Sequence, residues 1–142
     1  KEDVKVVQCK AVEELVRNSD IICTTTPSTT PVLPDDKELL RGKCIIAIGS
    51  YMPEMREIPD AVLDLVDNVY IELPYACEES GDLSQPLASG KLTKDRVKLM
   101  HEYLVSGEKE IKEGQTTYFK SVGMGLFDVC IAQKLYEVAK EK

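Results

Sequence analysis

Cys44-Ile-Ile-Ala-Ile-Gly-Ser50 decides the fold. Its first five residues are unbroken apolar and rich in β-branched side chains, as in a strand covered on both faces; a half-exposed strand would alternate. The run stops at two small residues, Gly49 and Ser50. Asp20-Ile-Ile-Cys-Thr-Thr-Thr26 and Thr116-Thr-Tyr-Phe-Lys-Ser-Val-Gly123 repeat the design of an apolar strand followed by small polar residues. Open parallel sheets bind ligands in the crevice beyond the carboxyl ends of their strands. Three such ends in one chain point to an α/β nucleotide-binding crest. No glycine-rich fingerprint precedes them, so the sequence reads as the second half of a nucleotide domain without its first.

Outward from these runs, Val4-Lys-Val-Val7 reads as a short strand, and residues 11–17 as a helix with Val12, Leu15 and Val16 on one face. Ile21-Ile22-Cys23 then reads as a buried strand, completing a parallel strand-helix-strand unit. Asp35-Asp36 caps a short helix through Leu40 that Gly42 closes. Pro59 opens a helix to Val66, and Val69-Tyr-Ile71 is the next strand. Leu73 to Gly90 reads as irregular. Thr93 is placed as the cap of a helix in which Val97, Met100 or His101, and Leu104 share a face. Gly107 and Gly114 bracket a charged connector, and Thr116 to Phe119 reads as a strand. Residues 124–140 form a long helix whose first half is apolar on nearly all sides and is therefore expected to be buried.

The 142 residues suffice for one domain with a real core. A net charge of −7 argues against nucleic acid or an anionic membrane as the main partner. A nucleotide cofactor stays open, because a crevice can be locally positive in an acidic protein. The apolar stretches fall far short of a bilayer span. Five cysteines without a C-x-x-C pair read as reduced and structural in a cytoplasmic protein, with Cys23 and Cys44 as small buried hydrophobes. One histidine and scattered thiols offer no metal-ligand spacing.

Gly123-Met-Gly125 follows a strand and opens a helix, the context of a phosphate or ring contact at a helix N-terminus. On spacing alone it reads equally well as a glycine turn, since Asp128 stands where a third glycine would fall. Lys120-Ser121 adds a cation and a hydroxyl beside it, and Gly49-Ser50 offers a close backbone approach and a donor. Thr24-Thr25-Thr26 can be β-rich filler, and Arg56-Glu57 a surface ion pair contributing almost nothing.

In order along the chain stand Asp20-Ile-Ile-Cys-Thr-Thr-Thr-Pro-Ser-Thr-Thr-Pro-Val-Leu33, Ala47-Ile-Gly-Ser-Tyr-Met-Pro-Glu-Met-Arg-Glu57, Glu79-Ser-Gly-Asp82 and Phe119-Lys-Ser-Val-Gly-Met124 with Asp128. This series resembles the ornithine cyclodeaminase/mu-crystallin family over essentially the whole chain. The resemblance implies a Rossmann-type NAD(P)-binding domain, present as its C-terminal half over residues 1–123 with the first βαβ unit missing. Residues 124–142 would be a helix returning towards the domain that holds substrate and forms a homodimer. It further implies that Thr26 lies near the dinucleotide, that Ile48, Gly49 and Ser50 line the nicotinamide ribose side, and that Ser121 and Gly123 hold the nicotinamide end. Val122 would face a small amino- or imino-acid substrate.

Two departures bear on activity. Cyclodeaminases of the family carry an acid/base Asp where this chain has Tyr51, and a cofactor-contacting Lys is replaced by Met55. A carboxylate can be tuned towards neutrality, whereas a phenol starts at about 10. The substitution favours the family's NAD(P)H-dependent imine reductases and amino-acid dehydrogenases, with Tyr51 facing the reacting carbon. Ornithine cyclodeaminase and a non-catalytic, mu-crystallin-like NADPH or ligand-binding protein remain the alternatives. By the same resemblance, the glycine-rich turn, the residue separating NAD from NADP and the substrate-carboxylate clamp would precede Lys1. The 142 residues alone are therefore expected to turn nothing over.

Overall fold

The structure, a computed structural model, describes residues 4–106 and 111–141. In chain order it forms α1 (Val12–Arg17), β1 (Ile21–Thr24), α2 (Lys37–Leu40), β2 (Cys44–Ala47), α3 (Asp60–Leu65), β3 (Val69–Ile71), α4 (Ala76–Glu79), α5 (Gly81–Ser89), a 3-10 turn (Lys94–Arg96), β4 (Val97–Leu99), α6 (Met100–Ser106), β5 (Thr117–Lys120) and α7 (Gly125–Lys140). The five strands make one sheet in the order β1-β2-β5-β3-β4, and every pairing is parallel. The last strand in sequence thus inserts at the centre. Because all strands run one way, their carboxyl ends share an edge. Thr24, Ala47, Lys120, Ile71 and Leu99 lie side by side across it.

The core lies over the middle strands. Ile45 and Ala47 of β2, Tyr118 of β5 and Val69 and Ile71 of β3 pack with Leu40 of α2, Ala61, Val62 and Leu63 of α3, and Leu83 of α5. Burying each larger aliphatic side chain stabilises the fold by about 1.5–3 kcal/mol. Side-chain caps begin α2 and α5. The Asp36 carboxylate accepts from Glu38 N and Leu39 N at the start of α2, as its sequence position implies.

Several sequence expectations need correction. Val4–Val7 forms no strand, and Val4, Val6 and Val7 are exposed, since no described strand lies alongside to pair with them. Ile21 and Cys23 are exposed, not buried: β1 is an edge strand with only Ile22 and Thr24 turned into the core. Leu73 to Gly90 holds two helices. Ser80 caps α5 by accepting from Asp82 N, and Leu83 and Pro86 provide its buried face. Val97 to Leu99 is a strand on β3, with α6 starting only at Met100; the apolar spacing that suits a helix is here period two followed by a helix start. Gly107 lies outside the described residues. All of α7 is exposed, including Leu126, Phe127, Val129 and Ile131, because no described element packs over it.

Candidate dinucleotide crest at the strand ends

Beyond the row of strand ends, the chain places Thr26 after β1, Ile48 to Ser50 after β2, Glu72 after β3, and Ser121 to Gly123 after β5. Ladder-like bonds carry the register into these turns: Ile48 N donates to Thr24 O at 2.9 Å, and Ser121 N to Ala47 O at 2.9 Å. Thr26, Gly49, Ser121 and Gly123 therefore meet at one edge, as the sequence implied.

Two carboxylates hold this edge together. Glu57 is fully buried, and four donors converge on it. Thr26 N (2.5 Å) and Thr26 Oγ1 (2.8 Å) donate to Oε1, while Thr24 Oγ1 (2.9 Å) and Gly49 N (2.8 Å) donate to Oε2. An ionised carboxylate only accepts, so it suits a position ringed by donors. Glu57 thus ties the end of β1 to the end of β2. The surface ion pair expected for Arg56-Glu57 does not form: Arg56 instead pairs with Asp60 and donates to Ile58 O. The backbones meet so closely that a Cβ on Gly49 would overlap Thr26 N and O and lie 2.6 Å from Glu57 Oε1. Here glycine is required for space.

Glu72, 5 % exposed, does for β5 what Glu57 does for β1 and β2. Its Oε1 accepts from Ser121 Oγ (2.7 Å), Val122 N (2.7 Å) and Gly123 N (3.0 Å). Gly123 adopts φ +88°, a left-handed conformation that glycine reaches without steric cost. The turn before α7 is thereby wrapped around a carboxylate of the protein itself. Val122 N and Gly123 N are thus engaged by the protein's own carboxylate.

Behind both carboxylates lies a buried ion pair. Asp82, in the first turn of α5, accepts from Glu57 N (2.7 Å) and Ile58 N (2.9 Å) through Oδ1. Its Oδ2 lies 3.4 Å from Lys120 Nζ, both side chains being fully buried. That separation exceeds the roughly 2.7–2.9 Å of a charge-assisted hydrogen bond, so the attraction is Coulombic. Burial pushes the Lys120 ammonium below its ordinary value, against the pull of Asp82. Burial also pushes the Asp82 carboxyl up, opposed by Ile58 N–H, Lys120 and Glu57 N–H. Lys120 sits under the crest as a structural counter-charge.

The other candidate residues divide sharply. Ser50 is fully buried, with its hydroxyl donating to Met55 O and 2.8 Å from Ser80 Oγ, so it faces inward. Ile48 is 42 % exposed and Tyr51 51 % exposed, both on the open side of the turn after β2. Val122 is half-buried against the core. Sequence reasoning missed Glu57, Glu72 and Asp82 as organisers. The available signal was a lone acid in an apolar setting at a strand or helix end, as in Ile71-Glu72-Leu73 and Gly81-Asp82-Leu83. A cavity of about 570 Å³ is lined by Ile71 and Leu99 at the ends of β3 and β4, with Pro74, Leu87 and Val97 among others, and includes none of Thr26, Gly49, Glu57, Glu72, Ser121 or Gly123. Among the described residues there is no cluster fit for a metal ion, and no helix long and apolar enough to cross a membrane.

Comparison with known proteins agrees with this geometry. The family model of the ornithine cyclodeaminase/mu-crystallin family matches residues 1–142. The Δ1-pyrroline-2-carboxylate reductase of Bacillus cereus is 37% identical over 136 residues, spanning 94% of this chain and 41% of that protein. The ketimine reductase mu-crystallin of Rattus norvegicus is 34% identical over 135 residues, 95% of this chain and 40% of its own length. The chain thus spans about two fifths of the curated relatives it matches. Among solved structures, a probable ornithine cyclodeaminase from Bordetella pertussis superposes with a TM-score of 0.75 at 30% identity, over 93% of this chain and 43% of that one. A Thermococcus litoralis Δ1-pyrroline-2-carboxylate reductase in complex with NADH and L-proline shares the fold, with a TM-score of 0.78 at 24% identity over 94% of this chain and 42% of that one.

Proposed function

The chain belongs to the ornithine cyclodeaminase/mu-crystallin family, and on that premise we propose that it forms the nicotinamide-binding half of an NAD(P)H-dependent reductase acting on a small cyclic or secondary imine derived from an amino acid. The observation that carries this reading is the crest itself. Four parallel strand ends lie in register, and beyond them Thr26, Gly49, Ser121 and Gly123 are fixed by buried carboxylates. The residues fit the ring end of a dinucleotide. Gly49 lets the ends of β1 and β2 approach each other, and Ser121 holds a hydroxyl at the end of β5. The amides of Val122 and Gly123 are taken by Glu72 and are not offered to the dinucleotide's phosphates.

When bound, the cofactor supplies a hydride; this chain's residues orient the ring and the acceptor. Thr26 and Gly49 form the wall on the β1–β2 side, Ile48 and Ser50 contribute backbone to the ribose side, and Ser121 and Gly123 take the nicotinamide end. Val122 and Tyr51 border the substrate, and Tyr51 can orient or donate a proton to an imine nitrogen. Its phenol stands where a cyclodeaminase carries a carboxylate, which favours the reductase over ornithine cyclodeamination. The exposed apolar residues of α7, among them Leu126, Phe127 and Ile131, support a helix that leaves residues 1–123 to pack on a second, substrate- and dimer-forming domain.

The test is an assay of the natural protein carrying this sequence. Loss of NAD(P)H absorbance with Δ1-pyrroline-2-carboxylate or a related ketimine supports the reductase. Release of ammonia from ornithine without net change in cofactor absorbance supports the cyclodeaminase. Cofactor binding without turnover of either supports a binding protein.

A further inference from the structure

We propose that Glu72 fixes the hydrogen-bond polarity of Ser121, so that the crest accepts only a ligand group presenting an N–H donor there, of the primary carboxamide class. The inference rests on the dinucleotide reading and adds to it a residue that selects the ring substituent. A serine hydroxyl has one proton and two acceptor lone pairs. In Ser121 the proton goes to Glu72 Oε1 at 2.7 Å. One lone pair takes Gly123 N at 3.1 Å, an amide that also reaches Glu72 Oε1 at 3.0 Å. A single lone pair is left.

The arrangement cannot reverse while Glu72 keeps its place. Oε1 also accepts Val122 N and Gly123 N, and backbone amides only donate. The carboxylate is therefore bound as an acceptor to the turn, and the hydroxyl has no other acceptor to satisfy. Oε2 has no hydrogen-bond partner among the described residues and offers none to the hydroxyl. Ser121 is 8 % exposed, and the remaining lone pair is the one hydrogen-bonding valence its hydroxyl has left for a ligand. A carboxamide NH2 satisfies it. A methyl ketone of the same shape presents no N–H and leaves it unmet.

The experiment compares NADH with reduced 3-acetylpyridine adenine dinucleotide, in which a methyl group replaces the carboxamide NH2. Dissociation constants are measured by fluorescence titration on the natural protein, and then on Ser121→Ala and Glu72→Ala. We expect wild type to favour NADH by roughly three- to tenfold, the worth of one neutral hydrogen bond. Ser121→Ala, which removes one atom and leaves Glu72 its two amides, brings the ratio to about parity. Glu72→Ala frees the hydroxyl to donate and also lowers the ratio, whereas a purely structural loss would weaken both nucleotides equally and leave it unchanged. A wild-type ratio of one, or a ratio that survives Ser121→Ala, overturns the proposal. Equal weakening in Glu72→Ala with the ratio kept removes Glu72 from it. Binding of neither nucleotide to wild type overturns the dinucleotide reading itself, and this inference with it.

Discussion

Glu57→Gln is the sharpest perturbation of the crest, because it keeps the shape and changes only the chemistry of two atoms. Glu57 receives four donors, two on each oxygen. A glutamine keeps one acceptor oxygen and turns an NH2 towards the other pair. If the oxygen stays with Thr26, the NH2 faces Thr24 Oγ1, which can rotate to accept, and Gly49 N, which cannot. At least one buried amide is left unsatisfied, at about 1–3 kcal/mol, and charge-assisted bonds are lost or weakened, at roughly 1.5–3 kcal/mol each. Two effects offset this: an amide is cheaper to bury than a carboxylate, and the repulsion Glu57 exerts on Asp82 disappears. The donors outnumber these gains, and we expect a net loss of about 2–4 kcal/mol, with Glu57→Ala losing more. Urea unfolding of both variants, read as a shifted midpoint at unchanged slope, measures it. A Glu57→Gln variant within about 0.5 kcal/mol of wild type would refute the idea that an acceptor-only group is required there.

The remaining predictions concern single contacts. Gly49→Ala pushes a methyl group into Thr26 backbone and should cost at least the roughly 1–3 kcal/mol of overpacking, visible as a lowered unfolding midpoint. Lys120→Met leaves Asp82 buried without its counter-charge and should cost about 3–5 kcal/mol, while adding Asp82→Asn recovers part of that loss in a double-mutant cycle. Because burial raises the Asp82 carboxyl above 3.8, the folded state holds its proton more tightly than the unfolded chain. Relative to Asp82→Asn, wild type should therefore lose stability as pH climbs from 3.8 through the raised value; a gain over that range would contradict the sign. Tyr51→Phe, at a position 51 % exposed, should change stability by less than about 0.5 kcal/mol, so any fall in kcat of the natural protein reports chemistry and not folding.

The strand ends were legible in the sequence because apolar runs stopped at Thr24, Gly49 and Ser121, and the parallel sheet places those stops on one edge. The order of strands was not legible. Nothing local in Thr117–Lys120 tells it to insert between β2 and β3, since that choice is made by long-range packing. β4 was hidden because Val97, Met100 and Leu104 share the spacing of a helix face, and the edge pairing with β3 overrides that local signal. The apolar character of α7 was read correctly, but burial depends on what packs over it, and no described element does. The buried carboxylates escaped because an acid is normally exposed; only the ring of donors around Glu57 and Glu72 makes their positions affordable, and those donors come from distant segments.

The central claim is that the strand-end crest receives the nicotinamide ring. Titrating the isotopically labelled natural protein with NADH and following backbone amide resonances tests it most directly. The account predicts saturable shifts at Thr26, Gly49, Ser121, Val122 and Gly123. Shifts confined to the cavity around Leu87, Val97 and Leu99, with these five unmoved at saturation, would contradict it.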